Sequence, residues 1–392
     1  MGVSPATLAL LRLTLVDGLG PATISKLISL AGSPETALEL TAAQIGMCKV
    51  GAQRAARMAA DIRGSQAAAE DEVARADALG ASLVSIADGH YPPLLKQIPD
   101  APPILYYKGT LVPEADRFSV AIVGSRRCTA YGLEQTTRFA GTLARAGITI
   151  VSGGARGIDT AAHRAVLMSK GRTIAVLGCG LAHAYPPENA ALFERIGEPD
   201  EHGNSAGAVV SELPLQTAPD KQNFPKRNRI ISGMSLGVLV IEAAKGSGAL
   251  ITAEQATEEH GREVFAIPGR VDSAASAGSN ALLKSGGAAI VTEPGDVVSL
   301  LESPARHLFA GTHAARFSPP GADGPAATER VSHPVAPEQE RILTALETER
   351  SADELVELTG LAPASLRSHL TLLEMTRRIT RVGPRFARRT QD

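Results

Sequence analysis

A short basic segment with one aromatic side chain carries the clearest chemical signal in this sequence. From Lys221 to Ile231 the chain reads Lys-Gln-Asn-Phe-Pro-Lys-Arg-Asn-Arg-Ile-Ile, so four cations surround Phe224. Ammonium and guanidinium groups bind phosphates, and an aromatic ring offers a flat face on which an unpaired nucleobase stacks. The whole chain has only 8 Phe, 5 Tyr and no Trp, so an aromatic residue within a basic cluster is not expected there by chance. The segment predicts a nucleic-acid site; the alternative is a helix start with a solvated basic face and Phe224 in the core.

Glycine-rich loops elsewhere in the sequence provide further groups that could hold phosphate. Gly124-Ser125-Arg126 and Ser152-Gly153-Gly154 each follow an apolar run typical of a buried strand, and similar loops begin at Gly178 and Gly246. Glycine lets the backbone approach an anion, and the amides at a helix start are donors at the positive end of the helix dipole. A tight strand-to-helix turn also requires glycine on steric grounds alone. Together with Arg126 and the basic segment, these loops predict a site for an extended anion such as a DNA backbone.

Alternating strands and helices position these loops. The predicted strands are Ser119–Val123, Thr149–Val151, Thr173–Leu177, Ala208–Ser211, Gly237–Ile241, Val264–Ile267 and Ala289–Val291. Segments of helical periodicity separate them, which indicates a mostly parallel sheet covered by helices on both faces. Two further apolar runs, at 83–86 and 104–107, extend that sheet. The predicted fold class is α/β, with an extended Rossmann-like domain over residues 69–302 whose loops meet at the carboxyl edge of the sheet.

The N-terminal region predicts a small helical domain over residues 1–66, of the sterile-alpha-motif or helix-hairpin-helix type. The turn Gly18-Leu19-Gly20 precedes a helix that begins at Pro21, and a weaker repeat at Gly51 precedes a helix with Arg54 and Arg57. Proline is favoured in the first turn of a helix. In a helix-hairpin-helix unit the amides of such a glycine turn approach a DNA phosphate. A plain helical packing module is the alternative.

The C-terminal region predicts a flexible linker and a winged-helix domain. Residues 303–336 contain five prolines and little apolar periodicity, which is typical of a linker. Residues 337–392 read as three helices followed by two short strands around Gly383-Pro384. Arg367, Arg377 and Arg378 lie on the predicted second helix of a helix-turn-helix pair or just after it, whereas the start of that helix is poor in base-reading groups. This domain is therefore expected to contact a DNA backbone or a protein, and both alternatives stay open.

Composition excludes several classes of protein. The net charge of −2 rules out a general polycation, so a nucleic-acid site must be a local patch. No apolar run is long enough to span a membrane and the start lacks a signal-peptide pattern, so we expect a cytoplasmic protein. The three cysteines are isolated, and His163 and His183 lack ligand-spaced partners, so neither a metal nor another cofactor is expected.

Enzyme signatures are mostly missing. There is no G-x-x-x-x-G-K-[ST] loop, which argues against a P-loop NTPase. No glycine turn has the complete G-x-G-x-x-G spacing, which weakens dinucleotide binding. Glu212 and Glu242 follow predicted strands without an evident base or nucleophile beside them in the sequence. A catalytic carboxylate at one of these positions remains an alternative.

Six motifs in one order resemble the signature of the DNA-processing family called DprA or Smf. They are Ala121-Ile122-Val123-Gly124-Ser125-Arg126, Ser152-Gly153-Gly154-Ala155-Arg156-Gly157-Ile158-Asp159, Tyr185-Pro186-Pro187-Glu188-Asn189, Phe224-Pro225-Lys226-Arg227-Asn228-Arg229-Ile230-Ile231, Ser247-Gly248-Ala249-Leu250-Ile251-Thr252-Ala253 and Phe265-Ala266-Ile267-Pro268-Gly269. An ordered set over about 150 residues is far more specific than a single glycine loop. The flanking helical and winged-helix regions also resemble the architecture of that family.

The resemblance implies a role without catalysis. Members of this family bind single-stranded DNA, protect incoming DNA during natural transformation, load the recombinase RecA onto it and form homodimers through the Rossmann-like domain. Carried over by motif, Ser125 and Arg126 would meet phosphate, and Ser152 and Gly153 would offer hydroxyl and amide donors. Lys221 would neutralise phosphate and Phe224 would stack on a base. The residues expected to shape the pocket are Arg227, Asn228 and Arg229, of which the two arginines could instead be structural.

A nucleotide-processing phosphoribohydrolase is the rival interpretation, because such enzymes resemble this chain in their Rossmann-like fold. Those enzymes use a Pro-Gly-Gly-x-Gly-Thr loop. This chain has Gly246-Ser247-Gly248-Ala249-Leu250-Ile251-Thr252 at the corresponding place. The departure disfavours hydrolysis, and we expect a DNA-binding protein that is not an enzyme.

Overall fold

A nine-stranded β-sheet is the framework of the protein in the computed structural model. The structure describes residues 3–199 and 205–309, and residues 337–388 except 347, 364, 367–368, 371–372, 374–377 and 383–384. The strands of this sheet are β1 (Ser82–Ser85), β2 (Ile104–Gly109), β3 (Ser119–Val123), β4 (Thr149–Ser152), β5 (Thr173–Val176), β6 (Gly207–Ser211), β7 (Gly237–Val240), β8 (Glu263–Ala266) and β9 (Ala289–Ile290).

The strand order explains why the predicted loops converge. The sheet runs β1-β2-β6-β5-β4-β3-β7-β8-β9, and the neighbours from β6 to β9 are parallel, whereas β1 and β2 pair antiparallel. The chain moves outward from β3 to β6 and then returns to place β7 on the other side of β3. This reversal is a topological switch point, where open parallel sheets bind ligands at the carboxyl edge. The predicted α/β fold with a Rossmann-like parallel sheet is confirmed.

Helices cover both faces of the parallel sheet. In chain order they are α7 (Pro113–Asp116), α8 (Ala130–Arg145), α9 (Ile158–Met168), α10 (Ala190–Gly197), α11 (Asn223–Gly233), α12 (Gly248–Glu258), α13 (Ala277–Lys284) and α14 (Pro294–Phe309). One apolar cluster contains Phe139 of α8 and Ile158 of α9, and a second contains Ile230 of α11 and Ala253 of α12. Because every residue of β3 is buried, the continuous apolar sequence of the strand follows from burial on both faces.

Six helices precede the sheet. They are α1 (Pro5–Thr14), α2 (Pro21–Ala31), α3 (Pro34–Ala37), α4 (Ala42–Met47), α5 (Ala52–Gly64) and α6 (Gln66–Leu79). Their buried side chains, such as Leu10 and Ile24, share one apolar cluster with Tyr106 of β2. The helical region thus continues to Leu79, past the predicted end at residue 66, and it packs on the antiparallel end of the sheet. On α5, Arg54 donates to the carbonyl of Gly18 at 3.0 Å.

The described C-terminal residues form the predicted winged helix. Two further helices are α15 (Pro337–Ala345) and α16 (Ala352–Thr359), and a three-stranded sheet consists of β10 (Arg350–Ser351), β11 (Ile379–Val382) and β12 (Arg385–Arg388). The capping box of Ser351 and Glu354 marks the start of α16. Arg367 and Arg377 lie outside the described residues. So does most of the predicted linker; its first positions, up to Phe309, belong to α14.

A buried guanidinium attaches α11 to the sheet. Arg227 is only 4% exposed, and its Nη1 donates to the carbonyl of Gly153 at 2.6 Å and to that of Val176. These carbonyls follow β4 and end β5, so one side chain joins two strand ends to the helix. Burial lowers the pKa of Arg227 to about 10, although the nearby Asp159 carboxylate opposes the shift.

Two other titratable groups near Arg227, Asp159 and His163, are also buried. Desolvation raises the pKa of Asp159 to about 6, against the attraction of Arg227. His163 is fully buried, and its Nδ1 lies 2.8 Å from the hydroxyl of Thr173. Because that hydroxyl donates to the Ile150 carbonyl, Nδ1 of His163 is the donor to Thr173. Burial lowers the pKa of His163 to about 3, so the ring is neutral.

Replacing Arg227 tests its structural role. Arg227→Met leaves two strand-end carbonyls without their donor and Asp159 without its cation, so we expect a loss of about 3–5 kcal/mol in the free energy of unfolding. Urea denaturation measures this loss. The exposed neighbour on the same helix is the control, and Lys226→Met should change stability by less than about 0.5 kcal/mol. Equal stabilities of the two variants would contradict the assignment.

The pH dependence of stability tests the protonation states of Asp159 and His163. Below its ordinary pKa of about 6.5, the unfolded chain protonates His163 while the folded protein does not, so acid destabilises the fold. The raised pKa of Asp159 acts in the opposite direction between about pH 4 and 6, because the folded state retains a proton that the unfolded chain loses. Asp159→Asn should therefore steepen the loss of stability from pH 6 to 4 by up to about 1.4 kcal/mol per pH unit, and His163→Gln should flatten it. Denaturation curves of both variants that parallel the unmodified protein would refute this.

Candidate nucleic-acid interface

The site is built at the switch point between β3 and β7. The amide of Ser125, just after β3, donates to the carbonyl of Glu242, just after β7, at 2.7 Å. The hydroxyl of Ser125 accepts from the amide of Arg127 at 3.1 Å, which leaves its own proton available for another acceptor. Ser125 is half-buried and the side chain of Arg126 is exposed. The predicted first loop is therefore at the surface of the carboxyl edge.

Phe224 and Arg126 come together at this edge from segments almost 100 positions apart. The Cζ atom of Arg126 lies 5.4 Å from the centroid of the Phe224 ring, within the range of a cation–π contact. The ring is half-buried and packs against Gly178, where a Cβ atom would lie 2.7 Å from Cδ1 of Phe224. A side chain at position 178 would thus displace the ring. Phe224 is consequently a surface aromatic with a fixed position, rather than a member of the central core.

Exposed lysines flank the ring at the start of α11. Lys221 precedes the helix, and its turn is shaped by the carboxylate of Asp220, which accepts from the Gln222 amide at 2.7 Å. Lys226 is exposed on the helix itself, whose first turn contains no acidic residue. Unpaired amides at a helix start carry partial positive charge, which adds to that of the two lysines. This end of α11 is suited to an anion.

Arg229 and Asn228 of the basic segment serve the structure around the site. Arg229 is 8% exposed, and its Nε lies 3.1 Å from a carboxylate oxygen of Asp100 while its Nη2 pairs with Glu212. Asn228 is half-buried and donates to the carbonyl of Gly248 at 3.4 Å, across to α12. With Arg227 also buried, the structure does not bring either arginine to the surface. Their burial agrees with the structural role that the sequence analysis left open for both arginines.

Ser152 and Gly153 also lie beneath the surface. The hydroxyl of Ser152 is fully buried and donates to the carbonyl of Ile122 at 2.7 Å, so it does not offer the predicted donor to a phosphate. Gly153 is buried as well, and a Cβ atom there would lie 2.5 Å from Nη1 of Arg227 and 2.7 Å from a carboxylate oxygen of Asp159. Glycine is needed at this position because the Arg227 guanidinium occupies the space of a side chain.

The two acids considered as catalytic candidates have structural partners. Glu242 is 1% exposed and accepts from both the amide and the hydroxyl of Thr129 at 2.7 Å, at the start of α8. Glu212 pairs with Arg229, and burial raises its pKa even though that arginine opposes the shift. In the described part of the chain, no cluster of three or more His, Cys, Asp or Glu side chains could hold a metal ion. Both carboxylates therefore hold neighbouring elements in place at this edge of the sheet.

Tyr185 lies beside Phe224, although the sequence analysis named it only within a motif and not among the expected contacts. Its ring centroid lies 5.4 Å from that of Phe224, with the ring planes at 36°. Tyr185 lies in the loop between β5 and α10, and Arg156, in the loop after β4, forms an ion pair with Glu188 of the same Tyr185 loop. The signal available in the sequence was that Tyr185 is one of few aromatic residues and lies in a loop after a strand. Only the fold shows that its ring adjoins that of Phe224.

None of the helices in the described ranges combines the length and apolarity needed to cross a lipid bilayer.

Two family profiles match this chain. The profile described as "DNA recombination-mediator protein A" matches residues 82–302, and the profile described as "DprA winged helix domain" matches residues 325–383. The first match covers the whole sheet and the candidate interface. The second covers the described C-terminal strands β10 and β11.

Individual relatives agree with these profiles. The protein Smf of Synechocystis is 36% identical over 77% of this chain and 79% of its own length. The Escherichia coli protein Smf is 47% identical over 54% of this chain and 54% of its own length, so that match spans about half of the relative. A crystal structure of DNA processing protein A (DprA) from Streptococcus pneumoniae has a TM-score of 0.65 and 36% identity, covering 76% of this chain and 98% of that one. With a profile match over more than half of its residues and this similarity in structure, the chain belongs to the DNA recombination-mediator protein A family, also called DprA or Smf.

Proposed function

We propose that this protein binds single-stranded DNA along the carboxyl edge of its parallel sheet. The observation that carries the proposal is the surface ring of Phe224, contacted by the Arg126 guanidinium and flanked by the exposed Lys221 and Lys226. Of the predicted contacts, we retain Ser125, Arg126, Lys221 and Phe224 as direct ones. Ser152, Gly153, Arg227, Asn228 and Arg229 support them from beneath.

An unpaired strand fits this arrangement better than a duplex. A base that stacks on Phe224 must be free of its partner, since the faces of a paired base are covered by neighbouring pairs in the stack. The cations are suited to phosphates and do not form a dense array of base-reading groups. Binding should accordingly show little sequence preference and strong dependence on salt.

In the cell, the protein would protect incoming single strands and load the recombinase RecA onto them in natural transformation and recombination. Membership of the DNA recombination-mediator family supports this role, and the solved relative from Streptococcus pneumoniae is described as a DNA processing protein. We further propose a cytoplasmic homodimer assembled through the Rossmann-like domain, as the family resemblance implies. This function requires no catalytic step from the protein.

The rival function is hydrolysis of nucleoside monophosphates. It would require a catalytic carboxylate at the strand ends, but Glu212 and Glu242 are engaged by Arg229 and Thr129. The loop Gly246-Ser247-Gly248 also departs from the phosphoribohydrolase pattern. Release of a free base from a nucleoside monophosphate by the purified protein, without affinity for oligonucleotides, would replace the proposed function with this one.

Salt dependence separates phosphate contacts from stacking. Arg126→Ala and Lys221→Ala should each weaken binding of a thymidine oligonucleotide and lower the slope of log K against log salt by about 0.7. Phe224→Ala should weaken binding by about 1–3 kcal/mol and leave the slope nearly unchanged, because no charge is removed. Fluorescence anisotropy at several salt concentrations measures both quantities.

Arg145→Ala is the matched control for these variants. Arg145 is exposed at the end of α8, on the opposite edge of the sheet, and its removal should leave affinity and slope unchanged. Equal slope changes for Phe224→Ala and Lys221→Ala would show that Phe224 acts through the fold.

RecA loading is tested by filament nucleation on DNA coated with single-strand-binding protein. The unmodified protein should shorten the lag before RecA hydrolyses ATP, and Phe224→Ala should lose this effect in proportion to its lost DNA affinity. An unchanged lag with saturating unmodified protein would contradict RecA loading while leaving single-strand binding intact.

A further inference from the structure

Beside Phe224 and Arg126, a second ring and a second guanidinium continue the same surface. We infer that Tyr185 and Arg156 form a second nucleotide subsite, so that this edge holds two successive nucleotides of one strand. Tyr185 would contact the neighbouring base and Arg156 the phosphate beyond it. The inference rests on the proposed single-strand binding and extends it to residues outside the predicted contact set.

The four side chains form a continuous row. The Arg126 guanidinium lies 5.4 Å from the Phe224 centroid, and the Phe224 centroid lies 5.4 Å from that of Tyr185. At the other end, the guanidinium of Arg156 forms an ion pair with Glu188, three positions after Tyr185 in the same loop. The order is therefore cation, ring, ring, cation. Two successive bases of one strand could stack on the two rings, with the phosphates on either side of this pair at the two outer cations.

The loop that carries Tyr185 is held firmly against its neighbour. Asn189 is 1% exposed, and its side-chain amide donates to the carbonyl of Gly154 at 3.0 Å and to the hydroxyl of Thr160 at 2.7 Å. These two acceptors flank the loop that carries Arg156. Both members of the proposed subsite are thus positioned by one buried amide. A rigid ring that is already in place loses little conformational entropy when a base stacks on it.

Arg156 has a partner that a phosphate can replace. Its Nη2 lies 3.1 Å from a carboxylate oxygen of Glu188, and the two side chains are 52% and 50% exposed. An exposed ion pair of this kind changes an equilibrium by only about fivefold or less. A DNA phosphate carries the same charge as the carboxylate and also binds a guanidinium through two parallel hydrogen bonds, as a bidentate ligand. Glu188 is therefore the group that the strand displaces, and its charge opposes binding until it moves.

Other tyrosines of the described chain are used differently. Tyr91 and Tyr106 are almost completely buried, and the hydroxyl of Tyr91 donates to the Pro102 carbonyl. Tyr131 is 39% exposed, but its hydroxyl donates to the Pro268 carbonyl at 2.8 Å, in the loop after β8. Tyr131 is accordingly a suitable control for the loss of a surface tyrosine.

Substitutions at three positions of the whole chain test the subsite by anisotropy with a thymidine oligonucleotide. Tyr185→Ala should weaken binding about fivefold or more, the effect of one lost stacking contact, whereas Tyr185→Phe should stay within about twofold. Arg156→Ala should lower the salt slope by about 0.7. Glu188→Gln should tighten binding by about two- to fivefold, because it frees Arg156 and removes a charge that repels phosphate. Tyr131→Ala and Arg145→Ala should match the unmodified protein.

A fluorescent reporter keeps the test independent of the stability of Tyr185→Ala. Because the chain has no Trp, Tyr185→Trp and Phe224→Trp each introduce a single indole at one ring position. A base that stacks on an indole quenches its emission, so both variants should be quenched along the same binding curve. Quenching of the indole at 224 alone, with Tyr185→Ala binding as tightly as the unmodified protein, would overturn the second subsite and leave the proposed function intact. Absence of quenching at both positions, together with no anisotropy change for the unmodified protein, would overturn both.

Discussion

The buried guanidinium of Arg227 is the interaction on which the candidate site depends. It joins α11 to the ends of β4 and β5 through the carbonyls of Gly153 and Val176. A charge in the interior is costly unless hydrogen bonds and a nearby opposite charge offset that cost, and here the two strand-end carbonyls and the attraction of Asp159 contribute the offset. Since α11 also carries Phe224, the position of this half-buried ring depends on the buried charge about one turn further along the helix.

The arginines of this protein divide into supports and candidate ligand contacts by the packing around them. Arg227 and Arg229 are two positions apart on α11 and point to different partners, because successive side chains rotate by about 100° around a helix. Arg126 and Arg156 lie on loops at the sheet edge, where their guanidinium groups stay exposed. The same residue type thus stabilises the fold in one place and offers a phosphate ligand in another.

The switch point between β3 and β7 brings together segments that are distant in sequence. The amide of Ser125 meets the carbonyl of Glu242 there, and Phe224 reaches the edge within the crossover from β6 to β7. Tyr185 arrives from the loop after β5. A parallel sheet places all of its carboxyl ends at one edge, so an extended ligand can touch several loops at once. This geometry suits a strand of nucleic acid better than a small, enclosed substrate.

The sequence by itself determined the α/β class, most strand bounds to within about two residues, the winged helix and the family, because apolar periodicity and ordered motifs are local properties. It also selected Phe224, Arg126 and Lys221, whose chemistry and exposure agree. Tertiary structure alone decided that Ser152, Arg227 and Arg229 are buried, and that Tyr185 adjoins Phe224. Burial and ring contact depend on which distant backbone lies against a side chain. A one-dimensional pattern of charges does not contain that information.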